Sequence, residues 1–420
     1  MSSYQAPLQS NYKEGSISYD RNGNILTYQR WGQSTGLIQD NLTYSYIAGT
    51  NKLSRVSDAS TSAITGEVTT QAANNYSYDG AGNLITDVQG NNSITWSPYG
   101  KVQEVYRAAF ASTTLFGYDA MQNRVKKQQT SLSSNISTFY VRDAQGNVLA
   151  VYEKNGTTIT WKEQHLYGSS RLGTVEPGVA WTTTPAATPH FRGTRILNYG
   201  WKRYEINDHL GNVRALINDR KTYGGATFAA TLLDATDYFP FGAEMRKGTT
   251  ATNYRFGFNG KELDKNGEFG SLNHYDYGFR IYNPGIGRFL SVDPLTQKYP
   301  ELTPYQFASN TPIMAIDLDG LEALYQVSYQ ELMKEIKVSR YTKNETNYLL
   351  IHRTYNKQLI STVLGESGPT HDEANDNPVG VAAAHGGFAN AMSAGHTLAY
   401  GFQNGLKPNA NGIGVMARQM

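Results

Sequence analysis

The 420-residue sequence contains no cysteine, which excludes disulfides, thiolate metal sites and a cysteine nucleophile. Charged residues make up only 17% of the chain and the formal net charge is +2, so the total charge does not indicate binding to nucleic acid or to an anionic membrane. No stretch reaches the roughly 18 continuous apolar residues of a membrane-spanning helix. Residues 1–16 lack the apolar segment and cleavage signature of a signal peptide. The sequence indicates no cofactor.

Tyrosine and glycine are abundant instead, with 30 and 41 copies. Tyrosine and threonine suit half-exposed strands, and glycine with asparagine suits tight turns. The mean hydropathy of −0.51 together with 12% aromatic residues is typical of a folded protein with a polar surface. The composition therefore predicts a mainly β fold.

One short phrase recurs through the first 250 residues, with an Asp at its start and Asn four residues later. The copies begin at Asp20, Asp79, Asp119, Asp143 and Asp208. Their spacings of 59, 40, 24 and 65 residues are near multiples of about twenty, as degenerate copies of one unit would leave. We interpret each copy as a β-hairpin, with Gly-Asn supplying positive φ angles and the Asp accepting hydrogen bonds from the amides just ahead. An ordinary β-sandwich with asparagine-rich turns is the alternative.

These copies, together with motifs that follow them in the sequence, make the chain resemble the Rhs/YD-repeat proteins over roughly residues 10–321. The matching motifs are Asn207–Arg214, Arg280–Pro284 and Gly287–Pro294. The resemblance implies a YD-repeat region of spiral β-sheet over residues 1–250, a repeat-associated core over 251–321, and a variable, small α+β region over 322–420. It further implies that the shell encapsulates a C-terminal toxin-like effector of the bacterial polymorphic-toxin type.

The number of repeats also bears on the partners of the chain. Complete shells of this family have far more repeats than residues 1–250 supply, so we expect a C-terminal part of a longer protein or a remnant gene. The implied partners are an upstream shell segment or a secretion-system component, and an immunity protein specific for the C-terminal region. The implied location is secreted or cell-surface.

The junction near residue 321 carries the chemistry. Asp317–Leu321 matches the family phrase Asp-Pro-x-Gly-Leu, with Leu318 where the family has proline, and the family cuts itself after the leucine. The implied scissile bond is Leu321–Glu322, the implied upstream acid is Asp293, and Arg288 lies near it in sequence. Two close carboxylates cannot both ionise easily, so the ionised one can activate water while the protonated one donates. Gly320 would allow close backbone approach beside the cut.

Each of these residues also has a purely structural interpretation. Asp293, Asp317 and Asp319 can cap turns beside Pro294 and Gly320, and Arg288 can pair a turn carboxylate. His274 is predicted to pack like an aromatic residue.

Past Leu321 the sequence pattern changes. Within Tyr325–Lys343, the segment Tyr329–Lys337 has apolar residues at helical spacing and Glu/Lys pairs, which predict a helix. Alternation over Asn347–Val363 predicts a β-hairpin. His371, Asp372 and Glu373 could bind a divalent metal or serve as a base, with His385 and His396 as further nitrogen donors, but no metal site is assigned. Two other functions stay open: a structural or adhesive cell-surface protein that binds carbohydrate, and a degraded fragment without activity.

Overall fold

The computed structural model confirms the mainly β prediction, because antiparallel strands dominate throughout. The described residues are 13–32, 38–60, 68–182, 200–225, 227–247, 254–264, 267–269, 273–321, 323–325, 337–343, 346–355 and 358–367. The chain divides into two compact units, Met1–Leu166 with Arg171–Gln326, and Tyr167–Ser170 with Val327–Met420. Within the described ranges, no helix has the length and apolar character to cross a bilayer.

The first sheet has four antiparallel strands in chain order. They are β1 (Lys13–Tyr19), β2 (Ile25–Trp31), β3 (Ile38–Tyr46) and β4 (Leu53–Asp58). Buried and exposed positions alternate along β2 and β3, which places one face of the sheet in the core.

The second sheet has fifteen strands that also follow chain order, except that β15 pairs with β13. The strands are β5 (Tyr76–Tyr78), β6 (Leu84–Asp87), β7 (Asn92–Trp96), β8 (Val102–Arg107), β9 (Ser112–Tyr118), β10 (Arg124–Thr130), β11 (Asn135–Arg142), β12 (Val148–Asn155), β13 (Thr158–Tyr167), β14 (Arg171–Val175), β15 (Val179–Thr182), β16 (Lys202–Asn207), β17 (Val213–Tyr223), β18 (Phe228–Tyr238) and β19 (Glu244–Lys247). This succession of neighbouring hairpins is what a repeated hairpin unit predicts.

All five copies of the repeated phrase form the same hairpin turn. In the first copy Asp20 Oδ1 accepts the amide of Asn24 at 2.9 Å, and the Asn24 side-chain amide donates to Asp20 Oδ2 at 2.8 Å. The other four copies repeat this pair of contacts. Glycine takes a positive φ before the Asn in four copies, and Gln122 does so at +66° in the third. The predicted turn chemistry is confirmed.

The described residues of the segment 254–325 include short strands packed on both sheets. These strands are β20 (Glu262–Asp264), β21 (His274–Asp276), β22 (Ile281–Asn283), β23 (Arg288–Phe289), β24 (Ala315–Asp317) and β25 (Ala323–Tyr325). Four 3₁₀ helices occur in the described ranges, at Ala108–Phe110, Phe258–Gly260, Thr296–Lys298 and Ala308–Asn310. We call residues 254–325 the core segment.

Aromatic packing fixes the core segment. Phe307 is fully buried and stacks on Tyr282 with ring centroids 4.3 Å apart, while Tyr277 meets it edge-on at 5.6 Å. Such pairs add about 0.5–1.5 kcal/mol each beyond the area they bury. His274 is buried with its ring 4.9 Å from Phe269, as its packing interpretation predicted.

Buried ion pairs join the core segment to the long sheet. Arg124 of β10 contacts Asp264 at 3.2 Å and Asp276 at 2.9 Å, and Lys127 contacts Glu268 at 2.8 Å. Removing one partner of such a pair leaves an unpaired charge in the interior, which is costly. These contacts therefore favour one register of the core segment on β10.

The described part of the second unit is a three-stranded antiparallel sheet of β26 (Lys337–Lys343), β27 (Thr346–Tyr355) and β28 (Gln358–Ser367). The hairpin predicted over Asn347–Val363 is confirmed. The helix predicted over Tyr325–Lys343 is wrong for residues 337–343. Seven consecutive residues of β26 pair with β27, and these residues lack the Glu/Lys pairs that favoured a helix. Those pairs lie in Tyr329–Lys337, of which only Lys337 is among the described residues.

Candidate self-cleavage site

Two buried carboxylates lie beside the implied cleavage point. Asp293 follows β23 and its side chain is 3% exposed, and Asp317 ends β24 with its side chain 0% exposed. One oxygen of each carboxylate is held by a backbone amide. Leu295 donates to Asp293 Oδ1 at 2.7 Å and Gly320 donates to Asp317 Oδ1 at 2.6 Å. Both acids therefore do cap turns, as the structural interpretation predicted, and each leaves its second oxygen for another partner.

That partner is the same for both acids. The Nη2 atom of Arg280 lies 3.0 Å from Asp293 Oδ2 and 3.4 Å from Asp317 Oδ2. Arg280 follows the turn after β21, and its side chain is 1% exposed. A single guanidinium nitrogen thus brings together two acids that are 24 residues apart in sequence.

The charges of this triad do not balance when both acids are ionised, because one buried arginine faces two carboxylates. Burial raises the pKa of Asp317 to about 6, although Arg280 and the Gly320 amide pull it down and Asp293 pushes it further up. Burial likewise raises the pKa of Asp293, against the lowering effect of Arg280. One protonated and one ionised carboxyl group is the combination that acid–base hydrolysis needs.

The implied scissile bond lies in the connection of a tight hairpin. Asp317 of β24 pairs with Ala323 of β25, and the described residues 318–321 lead from β24 towards that pair. Gly320 has a φ of +81°, and a Cβ there would meet the Arg280 backbone nitrogen at 3.0 Å. The Gly320 amide donates to Asp317, and its carbonyl accepts from Arg280 Nε. The triad therefore holds Gly320, the residue before Leu321, at both its amide and its carbonyl.

Arg288 lies apart from this triad. Its guanidinium donates to Asn24 Oδ1 at 3.3 Å, Tyr46 OH at 3.0 Å and the carbonyl of Asn51 at 2.8 Å. These contacts bind the core segment to the first repeat turn and to the β3–β4 hairpin. Asp319 is exposed, with its side chain 60% accessible.

The remaining candidates lie outside the described residues. They are Glu322, His371, Asp372, Glu373, His385 and His396. Among the residues that are described, no three His, Asp or Glu side chains converge as metal ligands.

Sequence reasoning missed Arg280, the cation that both acids share. Arg280 belongs to a motif that the sequence analysis did single out, Arg280–Pro284, and it is flanked by apolar and aromatic residues. A charged residue inside an apolar segment is seldom buried without a partner. That rule could have drawn attention to it, but the rule applies equally to Arg288.

Sequence comparison identifies relatives over the repeat-bearing part of the chain. No family model matches. The chain is 27% identical over 250 residues to Salivary gland surface protein 1 of Aedes aegypti, covering 58% of this chain and 6% of that protein. It is 27% identical over 299 residues to toxin subunit YenC1 of Yersinia entomophaga, covering 59% of this chain and 29% of the subunit. It is 24% identical over 262 residues to toxin subunit YenC2 of the same organism, covering 56% and 23%. This chain is related to toxin subunits, and it spans less than a third of each relative.

Solved structures share the fold. The TcdB2–TccC3 complex matches 74% of this chain and 14% of its own, with a TM-score of 0.52 at 20% identity. A Photorhabdus luminescens Tc holotoxin pore matches 75% of this chain and 13% of its own, with a TM-score of 0.52 at 19% identity. A further TcdB2–TccC3 structure, described as lacking a hypervariable C-terminal region, matches 74% and 13% with a TM-score of 0.52 at 20% identity.

Proposed function

We propose that this chain is a shell-and-core protein of the toxin-complex type that cuts itself at Leu321–Glu322 and thereby separates a C-terminal effector. The observation that carries the proposal is the buried Arg280–Asp293–Asp317 triad, which binds both the amide and the carbonyl of Gly320, the residue before Leu321. The repeat-associated core, inferred from the motifs, corresponds to residues 251–321, and the effector region begins at residue 322.

The two acids have different parts in the proposed reaction. Asp317, with a pKa near 6, is protonated in mildly acidic solution and donates its proton to the departing amide nitrogen of Glu322. Asp293 in its ionised form takes a proton from the attacking water. Arg280 stabilises the ionised carboxylate and, through Gly320, fixes the turn. Because the bond is part of the same chain, the reaction is unimolecular and modest acid–base groups suffice for one turnover.

Intact-mass measurement of the purified chain tests the cut. The expected result is two fragments, one ending at Leu321 and one beginning at Glu322, whose masses sum to that of the chain plus one water. Asp293→Asn and Asp317→Asn are expected to leave the 46.4 kDa chain whole. Asp143→Asn is the matched control, because it makes the same change at an acid that also accepts backbone amides in a turn but that belongs to a repeat hairpin outside the triad. A full-length wild-type chain after folding would refute the cut.

The proposed effector would act in competition between bacteria or on a host, from a secreted or cell-surface location. Its partners would be an immunity protein and an upstream shell or secretion component. Relatives named as toxin subunits support this proposal. Growth arrest on producing residues 322–420, relieved by a small protein encoded beside the gene, is the expected result. Normal growth with confirmed production would count against an effector.

A second candidate function, carbohydrate binding at a cell surface, is favoured by one groove. An open groove of about 430 Å³ on β10–β12 is lined by Phe139, Lys126, Gln128, Asn135 and Asn155, among other residues. Phe139 is 37% exposed there, and an aromatic face beside amide groups suits a sugar ring. A relative named as a surface protein points the same way.

A glycan array separates this candidate from the first. Binding that Phe139→Ala abolishes and Phe110→Ala retains would support a sugar site on β10–β12, since Phe110 is 60% exposed outside the groove. Equal signals from both variants would reject it.

A further inference from the structure

The cleavage turn has a second cation on its outer side. Lys261 donates from Nζ to the carbonyl of Leu318 and lies 3.5 Å from Asp319 Oδ1. The same nitrogen is 5.2 Å from the ring centre of Tyr277, whose Cβ borders Gly320. Lys261 therefore holds the first two residues of the turn, and the triad holds Gly320.

Lys261 is itself placed by the last repeat turn. Asn259, two residues before it, has a φ of +49° and donates its amide to Asn212 Oδ1 at 2.7 Å. The Asn259 side chain donates to the carbonyl of Leu210 at 2.9 Å and accepts from Tyr277 OH at 2.7 Å. Asn212 is the closing residue of the fifth Asp–Asn turn. That repeat turn is therefore connected to the cleavage turn through its hydrogen bonds to Asn259, the short chain from Asn259 to Lys261, and the contact of Lys261 with Leu318.

The contact with Leu318 has a physical reason in this sequence. Proline at that position would fix φ without help, whereas leucine leaves φ free. An external hydrogen bond to the Leu318 carbonyl restrains the same part of the turn. A positive charge beside Asp319 and Asp317 also offsets the acidity of the turn, since Lys261 lowers the pKa of Asp317.

We propose that Lys261 is a positioning residue for the cleavage turn and that Asn212 and Asn259 hold it in place, so that the cut requires the last repeat hairpin to be docked on the core segment. This inference rests on the proposed self-cleavage. It adds a residue that contacts neither Asp293 nor Asp317. It also adds the requirement that the last repeat hairpin is docked on the core segment before the chain is cut.

The first test replaces Lys261 and follows the rate of cutting after refolding by intact mass. Misplacing the turn by about 1 Å is expected to slow the cut by roughly ten- to a hundredfold in Lys261→Met. Lys261→Arg keeps the charge and a donor and is expected to recover much of the rate. Lys298→Met is the matched control, an exposed lysine of the core segment, and is expected to cut like the wild type.

The pH profile distinguishes positioning from a general loss of stability. Asp317 is faced by Arg280, Lys261, Asp293, Tyr277 and Tyr282, of which only the two cations lower its pKa. Removing one cation raises that pKa, so the pH at which cutting fails on the alkaline side is expected to move upward in Lys261→Met and to stay in place in Lys261→Arg. A merely structural role of Lys261 would change the melting temperature without moving the pH at which cutting fails on the alkaline side.

The second test addresses the repeat turn and does not depend on Lys261 variants folding. Asn212→Ala removes the acceptor for Asn259, and Asn147→Ala makes the same change in the exposed fourth turn, whose Asn contacts only its own turn in the hydrogen bonds that the structure gives. Slower cutting in Asn212→Ala than in Asn147→Ala at equal melting temperature supports the inference. A cut wild type with unchanged rates in Asn212→Ala and Lys261→Met overturns it and leaves the proposed function standing, whereas an uncut wild type overturns both.

Discussion

Replacing Arg280 with methionine gives the sharpest test of the triad. The substitution keeps a long apolar stem but removes the one cation that both carboxylates share. Two acidic groups would then face each other in the interior without the cation that contacts both of them. The cut is expected to stop, because neither the turn nor the ionised carboxylate is held.

The expected loss of stability follows from burial. Side-chain exposures of 1%, 3% and 0% for Arg280, Asp293 and Asp317 mean that solvent screens none of the three. Breaking such a buried pair by removing one partner costs about 3–5 kcal/mol of unfolding free energy. Adding Asp317→Asn to Arg280→Met removes one of the two acids left without their shared cation. It is expected to raise the unfolding free energy again by about 1–3 kcal/mol, the cost of leaving a buried polar group unsatisfied. A second substitution in a buried site normally lowers stability further, so the expected sign is unusual.

Urea unfolding followed by tryptophan fluorescence measures these differences. Arg280→Met, Asp317→Asn and the double variant are all expected to be uncut, so the three chains compare directly. Without the cation, the pKa of both acids rises in the folded state only, and the folded state binds more protons than the unfolded one. Stability of Arg280→Met should therefore fall as pH rises from about 5 to about 7, and fall less in the double variant. A double variant less stable than Arg280→Met, or a flat pH dependence, would refute the shared-cation arrangement.

Three further predictions follow from the same geometry. Cutting of the wild type should decline as pH rises through about 6, because Asp317 must carry a proton to donate; a rate that rises across this range, by intact mass, would assign the acid role elsewhere. Gly320→Ala should abolish the cut because its Cβ would crowd the Arg280 backbone, whereas Gly49→Ala, also at positive φ but with nothing within 4 Å, should cut normally. Gln122→Gly should raise the unfolding free energy by about 1 kcal/mol, since φ of +66° suits glycine; a drop in urea midpoint would contradict the repeat-turn account.

Local chemistry made the repeat turns predictable from sequence. The Asp and Asn of each copy lie within five residues, so their hydrogen bonds follow from the phrase itself, as Asp143 and Asn147 illustrate. The β26 strand was not predictable in this way, because its state depends on pairing with β27 rather than on its own residues.

The sequence alone could not identify which arginine is shared by the two acids, because that depends on the fold. Arg280 and Arg288 lie eight residues apart in the core segment, and both are buried. Their partners are 13 and 37 residues away for Arg280 but 264 residues away for Arg288, at Asn24. Only the docking of the core segment on the first sheet decides which arginine faces the acids.

The same docking bears on when the proposed cut can occur. Asp317, Arg280 and Asp293 belong to three separate turns of the core segment, and Lys261 belongs to a fourth that rests on the fifth repeat turn. None of these contacts exists in an extended chain, and an isolated carboxyl group in water has neither the raised pKa nor the fixed turn that the reaction requires. The cut that we propose can therefore follow only the folding of the core segment on the repeats. An effector joined at residue 322 would be separated from a completed core and not from a nascent one.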